Sequence, residues 1–172
     1  MIIYLLVVFV AVLARFVPHI PNFAPVTALA IFSAVYLPKK QAVIIPLAAR
    51  LVSDLFIGFF AWPLMVAVYA SHLFGVLFGL WIKRSASGRG LKIAVSALGA
   101  SLLFFAVTNF AFLYPQYPHN LMGIAQAYAA GLPFLRGTIL GDMTYTFTLF
   151  GAYGLVAGFA QTRRLAAQKP LV

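Results

Sequence analysis

The chain has no cysteine, and only two of its 172 residues, Asp54 and Asp142, are acidic. Without cysteine it has no disulfides, no thiolate metal ligands and no thiol redox chemistry. Catalytic patterns are missing too: there is no H-E-x-x-H, no G-x-S-x-G, no Walker A sequence, and no Cys or His spacing that holds zinc. That argues against an enzyme and against a bound metal or cofactor. Charge of either sign is scarce, at 8% of residues, whereas 64% are hydrophobic and the mean hydropathy is +1.02. A chain this short cannot hide so much apolar surface in a soluble domain, so lipid is its solvent. A net charge of +10 would suggest nucleic acid for a soluble protein. Here nine of the twelve Lys and Arg residues gather in Lys39-Lys40, Lys83 to Lys92 and Arg163 to Lys169. Anionic lipid headgroups and the positive-inside bias account for such stretches, which argues against a nucleic-acid partner.

The basic stretches interrupt the apolar sequence at every second expected crossing. The expected fold is therefore an all-α integral membrane protein of the cell inner membrane, a single domain of six transmembrane helices with both termini cytoplasmic. The spans, cut at proline, glycine and charge, run over about residues 2–16, 25–38, 41–61, 63–82, 91–113 and 134–161. The first lacks a basic n-region and an A-x-A cleavage pattern, which reads as a retained helix and not a signal peptide. The second is short for a full span. Loops at 17–24, 62–63 and 114–133 then face outward, and none contains Lys or Arg. Within the last of these, Leu121 to Ala130 forms a short interfacial helix. Gly75 and Gly79, Gly137 and Gly141, and Gly154 and Gly158 have the small-xxx-small spacing of close helix contacts, used inside the bundle or for docking another protein.

Both acidic residues fall inside expected spans, where charge requires a partner or a wet cavity. Counted from the outer ends at 1.5 Å per residue, Asp54 and Asp142 lie about 12 and 13 Å deep, and His72 reaches about the same level. Arg50, four residues before Asp54, shares its helix face, so the two form an ion pair that is either a structural brace or part of a site. Asp142 has no opposite charge at helical spacing, and Arg15 and Arg136 are its candidate partners. Thr138, Asp142 and Tyr145 make one polar stripe. Thr108 and Asn109, with Asn22, Phe23, Tyr114, Tyr117, His119, Asn120 and Tyr128 from the outer loops, gather toward the same side. The bias predicts an outward-opening pocket that binds a small molecule through Asn22, Asn109, Arg136 and Asp142, then Arg15, Asp54, Tyr114 and His119.

Four segments also carry a family resemblance: R-F-V-P-H-I-P-N-F-A-P-V-T-A (Arg15 to Ala28), L-V-S-D-L-F-I-G (Leu51 to Gly58), F-F-A-V-T-N-F (Phe104 to Phe110) and G-L-P-F-L-R-G-T-I-L-G-D (Gly131 to Asp142). Their order resembles the substrate-binding S components of energy-coupling factor (ECF) vitamin transporters, specifically a small uncharacterised transport family related to them. The resemblance implies six helices, a pocket near the outer face closed by outer loops, and docking of the first three helices on an ECF-type transmembrane coupling subunit with its ATPases. Small residues on the first helix, often A-x-x-x-A, support docking in that family, whereas this chain has Ala11 and Ala14. The expected function is transport: capture of a vitamin or cofactor precursor, energised by a partner, with membrane lipids as surroundings. Two rivals stay open, a structural subunit of a larger membrane complex and a stand-alone ion-coupled carrier.

Overall fold

Apolar runs punctuated by proline and glycine become helices wherever the chain is described, and no strand forms among the described residues. The structure, a computed structural model, describes residues 9, 13–16 and 20–167, with side chains through residue 163. The expected first span, over 2–16, and Lys169 of the third basic stretch therefore lie outside the described residues, except for Phe9 and Leu13 to Phe16. The elements are α1 (Val26–Tyr36), α2 (Lys39–Ile57), α3 (Trp62–Lys83), α4 (Arg89–Thr108), a 3-10 turn (Ala111–Leu113) and α5 (Leu121–Ala167).

Local chemistry sets most of these ends. Pro25 and Pro38 immediately precede α1 and α2, and Pro63 sits in the first turn of α3, where a missing N–H costs nothing. Gly58 ends α2 at φ +110°, a conformation an L side chain resists. Asn120 caps α5 by accepting a hydrogen bond from the Gly123 amide at 3.0 Å.

Two expected boundaries are corrected. The helix expected to reach 113 stops at Thr108, where Asn109 leaves helical geometry and its side-chain amide bonds back to the Phe105 carbonyl at 2.9 Å. The expected break at Pro133 does not occur, so the short interfacial helix and the last span form one 47-residue helix. Proline removes a single backbone bond, and Gly131 and Gly137 on either side hold the axis by close contacts with Asn109 and Pro21.

Among the described residues, three helices are long and apolar enough to cross a membrane: α3, α4 and α5 over Leu121–Arg163. With large side chains such as Phe56, Trp62, Leu91 and Phe159 exposed on the outside, these mark a membrane protein. α2 carries Lys39, Lys40, Arg50 and Asp54 and is not among the three. α1, with eleven residues, is about 16 Å long, roughly half the depth of a hydrocarbon core. It is instead the centre of the bundle. Ten of its residues are buried and it touches the four other helices found among the described residues, as an element apolar on every side requires.

Glycine makes that central position available. A Cβ on Gly79 would lie 2.3 Å from the Ile31 carbonyl oxygen and 2.6 Å from Ala34 Cβ, so α1 and α3 pack backbone against backbone. Gly137 and Gly141 seat the 21–23 segment in the same way. Two of the three small-xxx-small pairs are therefore internal contacts, while Gly154 and Gly158 have no neighbour within 4 Å among the described residues.

The bundle is polarised end to end. α2 starts at Lys39, α3 ends at Lys83 and α4 starts at Arg89; Lys83 Nζ donates to the Leu37 carbonyl at 3.2 Å. Just above this basic end, buried Phe32 packs with half-buried Tyr36, Phe150 and Tyr153, with Tyr36 and Tyr153 ring centroids 4.0 Å apart. The polar-lined cavities lie toward the opposite end.

Candidate functional site

Away from the basic end, the α2–α3 turn, the end of α4, the 114–117 loop and the first part of α5 surround a chamber of about 370 Å³. Phe60, Leu64 and Val68 form one wall, Phe104, Thr108 and Asn109 a second, Tyr114, Gln116 and Tyr117 a third, and Ala127, Ala130, Gly131 and Phe134 a fourth. Asn22 and Arg50 complete it. A smaller cavity of about 40 Å³ is lined by Asn22, Arg50 and Phe104 again, and by Thr27, His72, Thr138 and Asp142. The three shared residues are the neck between an upper chamber and a lower one.

Small residues and side-chain bonds build the upper walls. Gly131 lets α5 approach α4 closely, since a Cβ there would stand 2.2 Å from Asn109 Oδ1. Tyr114 donates to the Thr108 carbonyl at 2.6 Å and so ties the loop to the end of α4. Burial, and then the neighbouring Tyr117, push the Tyr114 phenol above its ordinary value, which keeps the donated proton in place. Tyr128 donates to the Ala106 carbonyl at 2.6 Å on the outside of the same wall. Asn22 enters the neck with φ +62°, a left-handed conformation that asparagine tolerates better than most residues.

Arg50 is positioned by a buried ion cluster. Its Nε donates to Asp54 Oδ2 at 2.7 Å, Arg15 Nη2 lies 3.2 Å from Asp54 Oδ1, and the Tyr69 hydroxyl donates to Oδ2 at 3.0 Å. Arg15 also donates to Ser53 Oγ, which fastens the 13–16 turn to α2. Asp54 is 1% exposed, and two guanidiniums share its single negative charge. The cluster therefore carries one net positive charge, and it presents Arg50 to both cavities.

Asp142 has a different environment. Neither Arg15 nor Arg136 is its partner; the carboxylate accepts from Ser101 Oγ at 2.7 Å, and the Thr27 hydroxyl also hydrogen-bonds it. The reason is rotational: Asp142 faces α1 and α4, whereas Arg15 meets Asp54 on α2. Thr27 Oγ1 is in turn 3.4 Å from His72 Nδ1, and the His72 ring lies 5.5 Å from that of Phe104. Ser101, Asp142, Thr27 and His72 thus form one buried polar chain beneath the neck.

Of the residues expected in the site, Asn22, Asn109, Asp142 and Tyr114 line the cavities. Asp54 and Arg15 stand behind Arg50 without lining either. Arg136 and His119 are not brought in. Arg136 is exposed and makes no ion pair among the described residues, and exposed His119 stacks on Phe112 with ring centroids 4.5 Å apart. Tyr145 leaves the polar stripe, packing its ring 5.2 Å from Phe23. Sequence reasoning missed Thr27, Phe60, Ser101, Phe104 and Gln116. A signal existed for the α4 members, because Ser101, Phe104 and Thr108 recur on one helical face.

No curated protein and no solved structure matches this chain. A family of unknown function, DUF6580, matches residues 1–166, and the chain belongs to that family.

Proposed function

We propose that this protein is an S-component-like capture subunit of the inner membrane, which binds a small nutrient of the vitamin or cofactor-precursor class from the outer side and is energised by a partner. In this reading six helical segments place both termini in the cytoplasm, with the basic end of the bundle facing inward. The partner is an ECF-type coupling subunit with its ATPases. The protein performs no chemistry of its own. The observation that carries the reading is the stepped cavity at the end of the bundle opposite the Lys and Arg stretches, with the buried cluster of Ile31, Val35, Ile82, Ala97 and Ala100 packed between it and the basic end. A pocket that opens on one side only is what capture before reorientation needs, and its volume lies in the range that holds small ligands.

The test is a thermal-shift screen of the purified protein against vitamins and their precursors, with native mass spectrometry for a retained metabolite. Stabilisation by a compound, abolished when Asn109 or Tyr114 is enlarged to Trp, is the expected outcome. If no compound stabilises and no metabolite is retained, capture is wrong. Orientation is tested separately. The chain has no cysteine, so single-cysteine variants at Tyr117 and Lys39 report sidedness directly, with only the former labelled from outside by an impermeant maleimide.

A further inference from the structure

The lower cavity contains an unbalanced set of polar groups. Asp142 is 3% exposed and none of its hydrogen-bond partners is a cation. Arg50 is the one Lys or Arg side chain lining either cavity among the described residues, and it is bound to Asp54 without forming an ion pair with Asp142. A buried carboxylate without a positive partner is costly, and leaving it so is reasonable where the partner arrives with a ligand.

His72 sharpens the picture. The Thr27 hydroxyl has one proton; given to Asp142, it leaves Thr27 to accept from His72 Nδ1–H, which makes Nε2 the ring's acceptor. Nε2 is buried and has no hydrogen-bond partner, on a residue 4% exposed that lines this cavity. With Asp142 ionised, as it is when a cation sits against it, the base of the site therefore offers two acceptors, a carboxylate and an imidazole nitrogen. Phe104, lying against the His72 ring and lining both cavities, supplies a flat apolar face between them and the chamber above. The upper chamber has no acidic residue in its lining, and the net positive charge of the Arg15, Arg50 and Asp54 cluster stands at its neck.

We infer that the site takes an amphoteric planar ring compound, with a protonated, N–H-bearing nitrogen group set against Asp142 and His72 and an anionic group held by Arg50. This rests on the capture reading and narrows it by charge. The ligand's nitrogen is the missing partner of Asp142, its ring lies along Phe104, and its anion meets the one guanidinium in reach.

Three probes on a common ring separate these contributions: 4-amidinobenzoate carries both groups, benzamidine only the cation and benzoate only the anion. In titration calorimetry of the purified protein, 4-amidinobenzoate is expected to bind roughly tenfold or more tighter than either of the others, since each retained charge-assisted hydrogen bond is worth about that factor. Asp142→Asn, which keeps the side-chain shape, weakens 4-amidinobenzoate and benzamidine by about tenfold and leaves benzoate unchanged. If that variant does not fold, the ranking of the three probes on the unaltered protein decides alone. Benzoate binding as tightly as 4-amidinobenzoate, or a retained metabolite that is uncharged or lacks an N–H donor, overturns the inference while leaving capture standing. Absence of any retained metabolite, together with no binding of any probe, overturns both.

Discussion

Replacing Asp54 by Asn isolates the energetic role of the ion cluster. The carboxylate is held by two guanidiniums and one phenol at 3.2, 2.7 and 3.0 Å, with side-chain exposures of 2% for Asp54, 10% for Arg15 and 14% for Arg50. The substitution removes the single negative charge and leaves two largely buried cations facing a neutral amide. Its NH2 group also points a donor at a guanidinium. Breaking a buried ion pair from one side costs about 3–5 kcal/mol. For a chain of this size, at roughly 2–4 °C per kcal/mol, the melting temperature falls by about 6–20 °C. Thermal unfolding in detergent micelles measures it. The double variant Arg15→Gln with Asp54→Asn leaves one uncompensated cation instead of two, and is expected to recover part of the loss. A shift below about 2 °C, or a double variant less stable than the single one, would refute the claim that Asp54 compensates both arginines.

Three further outcomes follow from geometry. Gly79→Ala places a methyl against the Ile31 carbonyl and destabilises by about 1–3 kcal/mol, whereas Gly158→Ala, with nothing within 4 Å, is neutral or slightly stabilising; paired melting curves check the contrast. Tyr114→Phe removes a 2.6 Å bond and costs about 1 kcal/mol near neutral pH. Because the folded phenol is raised above its ordinary value of 10.0, its contribution is complete below that pH and is lost as pH rises through the folded value, so the variant shows a shallower loss of stability above about pH 10 in alkaline melts. Asn120→Ala removes the cap of α5 and costs about 1 kcal/mol, seen as faster hydrogen exchange over the first turn from Leu121 than in the middle of the helix.

Depth along a helix was legible in the sequence, and rotation about it was not. Counting 1.5 Å per residue from turn signals placed Asp54, Asp142 and His72 in one layer, and the structure groups them: His72 and Asp142 line the lower cavity, and Asp54 grips Arg50, which lines it too. Pairing needs azimuth. Arg15 stood equally well to serve Asp142 by level, and it goes to Asp54 because the 13–16 turn packs on α2, with Phe16 edge-on to Phe56. Arg136 illustrates the same gap: it lies six residues before Asp142, or about 1.7 turns, and so projects to another side of α5. Ser101 and Thr27 escaped notice because hydroxyls in apolar helices usually bond their own backbone, as Thr138 does with the Phe134 carbonyl.

Composition alone determined the solvent, the helical class and the basic end, because hydropathy and charge act through transfer free energies that each segment carries wherever its neighbours lie. Tertiary structure decided that the 11-residue α1 is the buried core of the bundle, that α5 continues through Pro133, and which polar groups meet at the neck. Those outcomes depend on close backbone approach at Gly75, Gly79, Gly137 and Gly141. A glycine announces in sequence that something can come near, but what comes near is set by residues from about 45 to more than a hundred positions away.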